Sequence, residues 1–159
     1  MQKKHLIFLL AAFVAAPVLA KPVVVQEAQL LGKWQCVDDN GTLRTFTFGS
    51  EQKVSAIVDA NFPSPDDETL AYRVFADGTW TVNGGKIGLN IKTTDVQRQH
   101  SIAKIRTIPW REVDKEMFAQ MRNGIGKSDK LQMQVKKIGN DSLSVRMQGD
   151  KQDMACRKA

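Results

Sequence analysis

LLGKWQCVDDNGTLRTFTF, residues Leu30 to Phe48, is the stretch on which the reading of the whole chain turns. Trp34 and Cys36 alternate with polar neighbours, Asp38 to Gly41 (DDNG) supplies a turn, and Phe46 and Phe48 alternate on the return. Alternation with a period of two, broken by Asn-Gly, is the pattern of an antiparallel hairpin with one face turned to a core. Cys36 has a single possible partner, Cys156, held back almost to the end of the chain.

The same period returns downstream. Gln52 to Asp59 carries it weakly, and Asn61 to Glu68, with two prolines and three consecutive acids, reads as a surface loop. Tyr72 to Val96 reads as three strands of a meander, with turns at Asp77-Gly78 and at Asn83-Gly84-Gly85. Trp80 with Val82, and Ile87, Leu89 and Ile91, alternate cleanly in that block. Leu131 to Val135, Leu143 to Met147 and Met154 to Cys156 give three final strands, parted by Gly139-Asn140-Asp141 and Gly149-Asp150.

Only one segment departs from this period. Pro109 opens a run in which Trp110, Val113, Met117 and Met121 recur at helical spacing until Asn123-Gly124, which predicts an amphipathic helix over 109–123. Before it, Val96 to Ile108 mixes spacings. Read as a strand, it places Arg98, His100, Lys104 and Arg106 on one face, a basic outer stripe. Eight to ten short antiparallel strands with one helix must hide apolar faces and edges, and a closed β-barrel does both.

The N-terminal residues 1–20 have the three-part order of a secretory signal: Lys3 and Lys4, an apolar run from Leu6 to Val14, then Pro17 and short residues ending at Ala20. A membrane anchor is the competing reading. The apolar run is shorter than the ~20 residues that span a bilayer, and no later segment is more apolar, so no membrane span is expected. Cleavage after Ala20 leaves residues 21–159, one domain, as a soluble product in a bacterial periplasm. In that oxidising compartment two cysteines are most simply one disulfide, Cys36 to Cys156. Closing a loop of about 120 residues is worth roughly 4 to 5 kcal/mol in the chain-entropy model. It would staple the first strand to the last, neighbours in an up-and-down barrel.

With this layout in place, Gly32-Lys33-Trp34 resembles the G-x-W opening of the lipocalins and the wider lipocalin-like calycins. The resemblance implies that Gly32 and Trp34 close one end of the barrel and that Arg157, beside Cys156, lies across the indole. Thr94-Asp95-Val96 is similar to that family's T-D-Y turn, with valine in place of the aromatic. The chain departs from the family's order in setting its helix before three strands. The positions implied are structural and carry no ligand contacts with them.

Little in the sequence points to chemistry. Outside the leader the chain has one histidine, His100, among basic neighbours, and no local carboxylate to make it a general base. Asp66-Asp67-Glu68 lacks the alternate oxygens and bend glycine of a calcium loop, and Gly126-Lys127-Ser128 lacks the upstream glycine of a phosphate loop. No cofactor, metal or catalytic residue is expected, and the chain is read as a non-enzyme. Its 23 Lys and Arg against 17 Asp and Glu are too mild an excess to indicate nucleic acid. Two binding readings stay open. One is a barrel holding a small apolar or amphipathic ligand, lined by Trp80, Ile87, Leu89 and Ile91. The other is an envelope-protein interaction module, such as an inhibitor, immunity or assembly factor, with Arg98, Lys104 and Arg106 as its partner surface.

Overall fold

The structure, a computed structural model, describes residues 23–63 and 69–159; the expected signal peptide and the acids Asp66 to Glu68 lie outside them. A short helix α1 (Glu27–Leu30) leads into β1 (Gly32–Val37), β2 (Leu43–Phe48), β3 (Lys53–Pro63), β4 (Thr69–Asn83) and β5 (Lys86–Arg98). A 3-10 turn (Ile102–Lys104) and helix α2 (Ile108–Asn123) follow, and β6 (Ser128–Ile138), β7 (Ser142–Met147) and β8 (Met154–Lys158) complete the chain. The eight strands are antiparallel and close in chain order, β1 pairing with both β2 and β8. This is the closed up-and-down barrel expected from the alternation, and it is compatible with a lipocalin-like fold. Among the described residues no helix is long and apolar enough to cross a membrane.

Local chemistry explains the turns. Asp38 Oδ1 accepts hydrogen bonds from the backbone amides of Asn40 (3.0 Å) and Thr42 (2.9 Å), and Gly41 takes φ +77°. The DDNG stretch is therefore a turn closed by its own aspartate. Cys36 stands opposite Cys156 in the β1–β8 register, and the two form the disulfide that seals the barrel's seam.

Three expectations about strand boundaries need correction. Asp77-Gly78 is no turn: β4 runs straight through it, Asp77 facing Lys92 and Gly78 facing Ile91 on β5. A Cβ at position 78 would overlap the Asn90 carbonyl oxygen, so the glycine serves close approach of two strands. The expected loop from Asn61 begins later, because Asn61, Phe62 and Pro63 still pair with Ala71, Leu70 and Thr69. Thr94-Asp95-Val96 lies within β5 instead of forming a turn. The register there passes from Ala76↔Thr93 to Phe75↔Asp95, leaving Thr94 as the extra residue of a bulge.

Side chains fill the barrel. Each of the eight strands sends two buried residues into one continuous cluster, among them Trp34, Phe48, Trp80, Ile87, Met133 and Met154. At the end where the chain enters, Leu30 is fully buried and its carbonyl accepts a hydrogen bond from Trp34 Nε1 (2.7 Å). Trp80 Nε1 donates to the Gly49 carbonyl (3.2 Å), so both buried indoles keep a partner for their one polar atom.

Candidate functional site at the barrel mouth

At the opposite end β3, β4 and β5 rise above the other strands, and α2 packs against Leu70 and Tyr72 of β4 and Arg98 of β5. The bulge at Thr94 makes this possible. Inward positions on β5 are Ile87, Leu89 and Ile91 before it, and Val96 and Arg98 after it, so the extra residue turns Arg98 inward. Leu70, Tyr72 and Ile105 meet Trp110, Val113, Met117, Phe118 and Met121 of the helix.

A buried ionic group lies within this apolar contact. Asp114, in the second turn of α2, is 2% exposed and is the only buried residue of the helix. Its carboxylate accepts hydrogen bonds from the Tyr72 hydroxyl (2.7 Å), from Arg98 Nε (3.1 Å to each oxygen) and from His100 Nε2 (2.9 Å). Arg98 Nη2 adds an ion pair at 3.0 Å, and the guanidinium lies 3.7 Å from the centre of the Phe118 ring. His100 Nδ1 sits 3.0 Å from the Ala71 amide and 2.9 Å from its carbonyl, so it can accept from the first or donate to the second while Nε2 serves Asp114.

Electrostatics follow from this geometry. Burial alone pushes the Asp114 carboxyl up, but hydrogen bonds from Arg98 and Tyr72, with the charges of Arg98 and His100, hold it below the usual carboxylate range. Burial, then the hydrogen bond and charge of Asp114, push the Tyr72 hydroxyl far above its ordinary value against the pull of Arg98. Asp114 thus stays ionised and Tyr72 stays a phenol. The chemistry this supports is anchorage: a charge kept from water persists only where several donors replace its hydration.

The other sequence candidates take varied positions. Arg98 is drawn inward and does not join an outer stripe, whereas Lys104 and Arg106 are exposed. His100, expected to be solvated, has a carboxylate partner supplied by the helix fourteen residues on. Trp80, Ile87 and Leu89 are buried in the packed interior, with Ile91 half-buried against it. Gly32 takes φ +112° beside the buried Trp34. It is Lys158, not Arg157, that crosses the indole, its ammonium 5.4 Å from the ring centre. Residues 154, 156 and 158 face inward on β8, so Arg157 falls on the outer face.

Sequence reasoning missed Tyr72 and Asp114. The signal was present for Asp114, which lies four residues after Trp110 and three before Met117, on the helix's apolar stripe. Among the described residues no three His, Cys, Asp or Glu side chains gather as a metal site. The surface does carry depressions. One of about 360 Å³ lies on the outer face of β4, β5 and β6, lined by Thr79, Thr81, Gly88, Asn90 and Gln132 among others. Another, of about 340 Å³, lies at the rim between the β1–β2 and β7–β8 turns. No known protein family matches the chain, and no curated protein matches it either.

Proposed function

We propose that this protein is an exported, periplasmic binding module, not an enzyme, that works from its outer surface by engaging a partner in the cell envelope. The observation that carries this reading is the interior: each of the eight strands commits two buried side chains to one continuous cluster, as a packed barrel would. The Cys36–Cys156 disulfide supports an oxidising compartment. The closed meander and the Gly32 and Trp34 opening support a lipocalin-like ancestry. Lys104 and Arg106 are the exposed members of the expected basic surface, and charge of this kind steers encounter with an acidic partner.

Native mass spectrometry of the exported protein, set beside its denatured mass, tests the reading. The expected result is a bare chain with one disulfide. Extra mass lost on denaturation would instead favour a carrier of a small apolar ligand, with Trp80, Ile87, Leu89 and Ile91 as its lining. One observation favours that second reading: α2 packs at the mouth yet buries only Asp114 fully, as a liftable cover would.

A further inference from the structure

The segment from the end of β5 into the first turn of α2 presents an unusual surface. Ile105 is buried against Leu70 and Tyr72, and the Ile105 carbonyl accepts a hydrogen bond from Arg111 Nε (2.8 Å), which fixes the segment to the mouth. On either side of that anchor Ile102 is 49% exposed and Ile108 is 73% exposed. Lys104, Arg106 and Arg111 are exposed between and beside them. From Val96 to Arg111 the chain contains no acidic residue. Two isoleucines in water, spaced among three cations and held by a buried anchor, are not explained by packing within the barrel. They line neither of the depressions described above.

We infer that this segment docks the barrel on an anionic lipid surface, with Ile102 and Ile108 entering the interface and Lys104, Arg106 and Arg111 at the level of the headgroups. The inference rests on the surface-acting reading above and names the partner of that same face. Charge complementarity selects an anionic partner, and the isoleucines select its kind. An acidic protein face would set them against charges, whereas a bilayer offers hydrocarbon directly beneath its phosphates. Attraction between exposed cations and anionic lipid fades over about 10 Å at 0.1 M salt, so the contact must be close.

Sedimentation of the exported protein with vesicles tests the inference. Binding is expected to vesicles of phosphatidylglycerol and phosphatidylcholine in equal parts, and not to phosphatidylcholine alone. Salt raised to about 0.5 M should release it. Lys104→Gln with Arg106→Gln, and separately Ile102→Ser with Ile108→Ser, should each weaken binding by roughly tenfold or more. All four positions are exposed, and circular dichroism checks that each variant keeps its fold. Equal binding to both vesicle types, no binding to either, or unchanged binding by both variants would overturn the inference. Absence of vesicle binding together with Lys104- and Arg106-dependent capture of one envelope protein would overturn it too, while leaving the surface-acting reading in place.

Discussion

At the end of the barrel where the chain enters, Leu30, Trp34, Phe48 and Trp80 fill the space between strands, and the indole nitrogens of Trp34 and Trp80 donate to carbonyls. At the mouth a helix packs against Leu70, Tyr72 and Ile105, and the one side chain it buries fully is charged. The first closure depends on area and shape, which respond little to solution conditions. The second depends on one carboxylate kept ionised by Tyr72, Arg98 and His100, so removing Asp114 strips all three of their shared acceptor. The difference teaches that one barrel can have an end that fails only with the whole fold and an end that can fail alone.

Breaking the apolar end should have the largest effect. Trp34→Ala removes a fully buried indole and is expected to cost about 4 kcal/mol, read as a lowered denaturant midpoint with every strand melting together. A local loss confined to α1 would contradict that picture.

Asp114→Ala comes next, at about 3 kcal/mol, the low end for a broken buried pair because the Arg98 side chain retains 22% exposure. Hydrogen exchange should then quicken across α2 (Ile108–Asn123) while β1, β2, β7 and β8 stay protected. Unaltered exchange in the helix would remove the ionic group from its role as anchor.

Acid sharpens the comparison further. The folded pKa of Asp114 lies below its unfolded value near 4, so its contribution is present above about pH 4 and fades as pH falls through the folded value. Stability measured from pH 6 downward should lose that increment in the parent and not in Asp114→Asn. Tyr72 runs the opposite way: with its folded pKa raised, its contribution is intact below about pH 10 and is lost as pH climbs above that. Tyr72→Phe should flatten the alkaline limb.

The smallest effect is expected at the rim of the apolar end. Lys158→Ala removes a cation near the Trp34 ring at a cost of about 0.5 kcal/mol, whereas Arg157→Ala, on the outer face, should cost less still. Thermal melts of the two variants side by side would expose a reversed order.

Much of the barrel was legible because its signals are local. The DDNG turn, the alternation of Leu131 to Val135 and the helix period from Trp110 to Met121 are each decided within a few residues. Gly78 misled because its role is set by the approach of Asn90 on another strand, which no neighbour in sequence reveals. Arg157 misled by one position, and on a strand one position changes the face. The anchor was the least legible part, since Tyr72, Arg98, His100 and Asp114 come from three segments that only the bulge at Thr94 aligns. An acid on an apolar stripe, preceded by an acid-free basic run, was the clue.

The seam between β1 and β8 has a mechanical consequence. Because the disulfide joins directly facing residues with a sequence separation of 120, almost the entire barrel lies inside one covalent ring. Tension applied at the two chain ends would pass through the sulfur bridge and bypass the strands. Pulled in that way, the protein would surrender α1, the first residues of β1 up to Gln35 and the residues after Cys156, and the strands inside the ring would be unwound by force only after chemical reduction.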